Sequence, residues 1–336
     1  MRKILYIIIC MPLLLLLACD VHEWPELPKP VKLNLTLRYE TEMVKWEHLY
    51  DGKSVVEQGL GGRYDNHQAN GQIRYIIRTY PMTERQRTAQ EYTQEFIFTK
   101  DISEGYDHEV EVEILPGDYT IMVWSDLVES SEDVHFYGAE NFASIMLQGA
   151  HQGNSNYRDA FCGKASVSIP TKDDNQADRA MSIEMKRPLA KFEIVASDLL
   201  EFVKVKGSNL ELYKAKIQYV GFMPNAYSLF ADRPIASTTG EMFESSFAEL
   251  NDSQDPKATM VSMGFDYVFV GENGTMITVR VGIYDNQDRQ ISISEPITIP
   301  VKPDHHTLLK GEFLMQNTSN GVTIDPGWSG DHNIIL

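Results

Sequence analysis

Leu33-Asn34-Leu35-Thr36-Leu37-Arg38-Tyr39 is the stretch whose reading decides the fold, with a leucine or tyrosine at every second position and polar residues between. A two-residue repeat puts the leucines on one face of an extended chain and Asn34, Thr36 and Arg38 on the other, the pattern of a half-buried strand. The period returns at 73–80, at 95–99 and at Val110, Val112 and Ile114. Leu115-Pro116-Gly117-Asp118 then leads into Tyr119, Ile121 and Val123, and the spacing predicts a hairpin across that turn. From 126 to 164 the alternation fades into Ser, Asn, Gly and His, which predicts a long inserted connection with one short helix over 139–147. Trp124, off the two-residue phase, is expected half-buried at a strand end.

The second half repeats the theme. Strands are predicted at 181–185, 192–196, 216–222, 267–270, 276–284, 290–294, 297–301 and 308–315, with turns at Gly271-Glu272-Asn273-Gly274 and Asp285-Asn286-Gln287-Asp288. Ser197-Asp198 before Leu199, Leu200, Phe202 and Val203 predicts a short helix with a side-chain N-cap. A polar run at 170–176 and Arg187-Pro188 mark a domain boundary. Many short strands with few short helices predict an all-β protein, two antiparallel β-sandwiches in tandem, over 32–186 with the long insertion and over 187–336.

At the N-terminus, Arg2 and Lys3 precede an unbroken apolar run over 4–18 that ends Leu16-Leu17-Ala18-Cys19. As a helix this run would be about 22 Å long, short of the ~30 Å hydrocarbon core, so it is an export signal and not a membrane span. The signal is expected to be cut between Ala18 and Cys19, with the Cys19 thiol carrying lipid. Several acyl chains hold a protein stably where one does not. Residues 19–31 contain Pro25, Pro28 and Pro30 and read as an extended spacer between membrane and body.

The chain of 336 residues carries a formal charge of −18. Loss of Arg2 and Lys3 with the signal leaves about −20, which opposes binding to nucleic acid and to anionic lipid. Of three cysteines, Cys10 lies in the signal and Cys19 at the lipid site, so Cys162 has no disulfide partner and reads as a small core residue. No His-Glu-x-x-His is present. His305-His306 would point to opposite faces of a strand, which is poor geometry for one metal and suits turn or strand-edge histidines. Gly327-Trp328-Ser329-Gly330 is not a nucleophile elbow, and Gly59-Leu60-Gly61-Gly62-Arg63 is not a phosphate loop. Asp173, Asp174, Asn175 and Asp178 lack the glycine and glutamate of a calcium loop. The expectation is no enzyme, no metal and no cofactor.

Taken in order, several segments resemble the FimB/Mfa2-type fimbrial proteins of Bacteroides-like bacteria. They are Cys19-Asp20-Val21-His22-Glu23-Trp24-Pro25, Leu115-Pro116-Gly117-Asp118-Tyr119 leading to Val123-Trp124-Ser125-Asp126, Arg187-Pro188-Leu189-Ala190-Lys191-Phe192, the run 305–314, and Gly321-Val322-Thr323-Ile324-Asp325-Pro326. The resemblance implies transthyretin-like sandwiches, and a surface-exposed outer-membrane lipoprotein that serves as an anchor or minor subunit of a fimbria. It implies fimbrial stalk subunits as partners, joined by β-strand donation, in which backbone hydrogen bonds supply affinity and side-chain pockets supply specificity. An anchor would keep its first strand and donate its C-terminal segment, with Val322, Ile324, Ile334 and Leu336 as groove-filling side chains. Completion of the protein's own last sheet by those residues is the competing reading. Asp20 after the lipidated cysteine agrees, within that family, with export to the cell exterior. The alternative function is a surface glycan-binding lipoprotein of a polysaccharide-uptake system. That reading needs an exposed aromatic platform, to be sought near Trp124, Phe136, Tyr137, Phe142 and Tyr157.

Overall fold

A computed structural model describes residues 28–39, 49–50, 53–54, 72–82, 90–101, 108–128, 135–170, 179–247, 259–315, 323–325 and 331–335. Among these the chain is nearly all strand, with one α-helix, Leu199–Lys206. The alternating stretch that opened the reading is the strand Val31–Tyr39, and Leu33, Leu35 and Leu37 are buried as the period requires. It is the middle strand of a three-stranded sheet, antiparallel to His108–Ile114 and parallel to Arg179–Met185. Facing it is a four-stranded sheet ordered Ala160–Ile169, Gly117–Val128, Gln72–Pro81, Gln94–Asp101. The two sheets share one apolar core, in which the three leucines meet Ile73, Ile121 and Val123.

A second sandwich follows. One sheet runs Val261–Phe269, Leu189–Ala196, His306–Gly311, Asp331–Ile335, Thr323–Asp325. The other is built on Tyr213–Tyr219 and Thr275–Asp285, with Met242–Ser246, Gln290–Ile293 and Ile297–Val301 alongside. Their core holds Phe192, Ile194, Ile217 and Val279 and is closed at one end by Leu199 and Phe202 of the helix.

Between the sandwiches lies a further four-stranded sheet, Arg233–Thr239, Phe222–Ser228, Ile145–Leu147, Tyr137–Gly138. Its strands come from both sides of the 186/187 junction. With the back of the 117–128 sheet and the outer face of Val261–Phe269 it buries a third apolar cluster that includes Trp124, Tyr137, Phe142, Cys162, Tyr227 and Phe269.

Several local expectations are corrected. The turn at Leu115–Asp118 is no hairpin: His108–Ile114 pairs with Val31–Tyr39, while Gly117–Val128 pairs with Gln72–Pro81 and Ala160–Ile169 in the opposite sheet. The turn is a corner between layers, and Gly117 suits it, since a Cβ there would stand 2.9 Å from the Tyr119 hydroxyl at a φ of 153°. No helix spans 139–147. Ala139, Phe142 and Ile145 are buried at a three-residue spacing that imitates a helix face, but an Asn141 turn takes the chain through, with its side chain accepting from the Ala143 N–H at 2.9 Å. The strand Ala160–Ile169 begins inside the predicted insertion. The predicted strand 216–222 ends at Tyr219, and Phe222 begins another. The helix after Asp198 is present, but Asp198 makes no cap bond; its carboxylate accepts the N–H groups of Phe313, Leu314 and Met315 instead. Tertiary donors outcompete the local one because Phe313 and Leu314 are buried and their backbone N–H groups need a partner.

Candidate functional site

The face where the two sandwiches meet carries a cluster of buried charge, with Arg158, Asp159, Arg187 and Asp266. Asp266 sits in Val261–Phe269, a strand buried along its whole length. Its carboxylate receives the Arg158 guanidinium, His151 Nε2 at 2.8 Å and the Tyr219 hydroxyl at 2.6 Å. Burial alone would raise this carboxyl, but the Arg158 charge and the His151 and Tyr219 contacts override it and hold Asp266 below its usual range. Arg158 also donates to the carbonyls of Gln152 and Tyr267, and its own carbonyl accepts the Tyr137 hydroxyl.

One arginine fork completes the joint, and another lies within the first sandwich. Arg187 clasps Asp159 with Nε at 3.0 Å and Nη2 at 2.9 Å, reaches Asp304 with Nη1 at 2.9 Å, and stacks on the Phe161 ring. Arg74 holds Asp126 through Nε at 2.8 Å and Nη2 at 2.6 Å, and Trp124 donates to the same carboxylate. Planar guanidinium paired with planar carboxylate fixes angle as well as distance, which a lysine would not. The arrangement orients two sandwiches; it has no nucleophile and base in contact. Among the described residues no group of three His, Cys, Asp or Glu side chains could hold a metal. Cys162 is fully buried, and desolvation pushes its thiol up to about 12, far from the thiolate a nucleophile needs.

Ala18 and Cys19 lie outside the described residues, as do Val322, Leu336, the acidic run 173–178, Gly59–Arg63 and the 327–330 turn. Ile324 and Ile334 stand opposite each other in the antiparallel pair Thr323–Asp325 and Asp331–Ile335, and the latter strand runs parallel to His306–Gly311. His306 is not at a strand edge: it is buried in an interior strand, 3.5 Å from Glu193. His305 sits in the preceding turn, where Nδ1 meets the Pro303 carbonyl. The aromatic platform is absent as drawn. Trp124 is 0% exposed within its strand, not half-buried at its end, and Tyr137 and Phe142 are buried with it. Tyr157 packs against the first core, and Phe136 borders an open cleft.

Asp266, Arg158 and His151 went unnoticed in the sequence, although one signal was present: a lone acid in the apolar run Val261-Ser262-Met263-Gly264-Phe265-Asp266-Tyr267-Val268-Phe269 requires a buried cation.

No described helix is long and apolar enough to cross a membrane. The fold and this charged joint define a double β-sandwich protein whose halves are joined by the buried pairs Arg158–Asp266 and Arg187–Asp159. The chain belongs to the family of unknown function DUF6562, whose model matches residues 28–336. No curated protein matches it in sequence. Among solved structures it is similar to a protein from Bacteroides ovatus proposed to be an adhesin, with 13% identity over 82% of this chain and 79% of that one and a TM-score of 0.43. A fimbrial assembly protein from Parabacteroides distasonis gives 10% identity, 88% and 94% coverage and a TM-score of 0.40. The fimbrial anchor protein Mfa2 from Porphyromonas gingivalis gives 10%, 78% and 81%, and 0.36.

Proposed function

We propose that the chain is an outer-membrane lipoprotein, held at the cell exterior by lipid on Cys19 behind the spacer 19–31, and that it serves as the anchor or minor subunit of a fimbria. Its body would comprise sandwich domains over 32–186 and 187–336; two apolar cores drawn from 33–185 and 190–314 support that division.

The observation that carries the reading is the position of the first strand. A subunit that accepts a neighbour's strand must leave one place in a sheet open. Val31–Tyr39 fills such a place itself, bonded on one side to His108–Ile114 and on the other to Arg179–Met185. This supports an end subunit that accepts no further strand. The C-terminal strands lie at one border of their sheet, with Thr323–Asp325 outermost, so their departure for a stalk subunit opens one ladder, Asp331–Ile335 on His306–Gly311, and leaves the other strands paired. On this reading Val322, Ile324, Ile334 and Leu336 serve as the donated side chains.

Affinity capture of the tagged full-length protein from gently solubilised cells, run unboiled, tests the proposal. High-mass ladders containing fimbrial subunits are expected. A transporter and glycan-binding lipoproteins without ladders would replace it with nutrient capture. Deleting 321–336 should abolish ladder association while leaving the body folded; general unfolding would end the donation reading. Cys19→Ala should move the protein from the membrane to the soluble fraction.

A further inference from the structure

We infer that the open cleft between the chain segment Gln148–Gln152 and the strand Phe222–Ser228 binds one edge of a neutral polyhydroxyl ring, a single sugar residue. The inference is independent of the anchor reading and rests on a different part of the molecule.

Its floor is an irregular strand. In the pairing with Arg233–Thr239, Pro224 is opposite Ser237 and Ala226 is opposite Ala236, so Asn225 is the extra residue of a bulge. Bulges re-aim side chains and recur beside binding sites. Asn225 lines the cleft, and its Oδ1 is a buried acceptor with no hydrogen-bond partner among the described residues. Asn225 Oδ1 thus calls for a donor from a ligand.

The surrounding groups select the class. Gln148 and Gln152 face Thr238 and Glu241 across the cleft, and Phe136 offers an apolar wall. Carboxamides, a hydroxyl and a carboxylate together present donors and acceptors, which suits hydroxyl groups because each is both. Beneath them the Arg158 and Asp266 charges offset one another. Glu241 adds a carboxylate to the lining, and it opposes an anion. One carboxylate, already accepting from Thr238 at 3.2 Å, is too little for a metal.

Size sets the depth. The cleft holds about 110 Å³, below the ~150 Å³ that encloses a benzene ring in an engineered cavity, so part of one ring enters while the rest stays in solvent.

Saturation-transfer NMR on the full-length protein in detergent, with methyl glycosides of glucose, galactose, mannose and N-acetylglucosamine as probes, tests this. At least one should bind in the millimolar range. Asn225→Ala removes an oxygen that makes no bond among the described residues, so its melting temperature should match the parent, while affinity for that glycoside falls roughly fivefold or more, the worth of one hydrogen bond. If Asn225→Ala lowers the melting temperature, Glu241→Gln takes its place and should weaken binding with the fold intact. Silence from all four glycosides, unchanged binding in the folded variant, or displacement by methylammonium would overturn the inference.

Discussion

Between the sheets of the first sandwich Leu33, Leu35, Leu37, Ile121 and Val123 pack on one another, whereas between the two sandwiches Arg158 is buried against Asp266 and Arg187 against Asp159. Apolar contact follows area and is indifferent to angle, so a sandwich core accepts many packings of similar volume. An arginine fork accepts one geometry. The first material makes each sandwich stable; the second sets how one sits on the other. The joint is consequently the more brittle region, since a buried charge that loses its partner keeps its full desolvation cost.

Asp266→Ala should give the largest effect, because it strands Arg158 in the interior: a loss of about 3–5 kcal/mol on the scale of broken buried pairs, read by urea unfolding. A loss much smaller than that of a core truncation would invert the comparison. The same site sets an acid response. Folding lowers the Asp266 carboxyl, so its contribution is complete above the unfolded value of ~3.9 and fades as pH falls through the lower folded value. Asp266→Asn should therefore show a shallower decline than the parent when melting temperature is followed down from pH 5.

Leu35→Ala comes next, at about 3 kcal/mol by the same urea assay, for a fully buried leucine facing the opposite sheet. Unlike the joint variant it should show no pH dependence of its own. Gly163→Ala sharpens the geometry of the first core: a Cβ there would stand 2.6 Å from the Glu184 carbonyl and 2.7 Å from Ile183 Cγ2, so overpacking should cost about 1–3 kcal/mol in thermal unfolding. Lys32→Ala is expected to do least. Its 2.7 Å contact with Glu111 joins side chains more than half exposed, and melts of parent and variant should coincide within about 0.5 kcal/mol, more closely still at high salt.

How far the sequence reached is visible in particular elements. Period-two alternation located Val31–Tyr39, Gln72–Pro81, His108–Ile114, Arg179–Met185, Leu189–Ala196, Thr275–Asp285 and Ile297–Val301; a strand with one face in a core needs that period whatever its partner, and Gln72–Pro81 and Leu189–Ala196 are in fact buried on both faces. It passed over Arg233–Thr239, an edge strand with exposed residues on both faces and no core to impose a pattern. Of the charged joint it showed only that Asp266 was out of place. The cleft at Asn225 was illegible, since a bulge is a mismatch between two strands and exists only once they are paired.

The sequence by itself determined the all-β class, the strands whose side chains alternate and the pairing-free state of Cys162, properties carried by spacing along the chain or by a residue count. Tertiary structure decided which strands meet: that 115–118 is a corner and not a hairpin, that Asp198 at the helix N-cap turns its carboxylate to the 313–315 amides, and that Arg158, from the predicted insertion, reaches Asp266 across the sandwiches. The reason is physical. Alternation reports only that one face is dry, and any complementary face satisfies it, while a buried charge or an unpaired amide is satisfied by one partner brought from far along the chain.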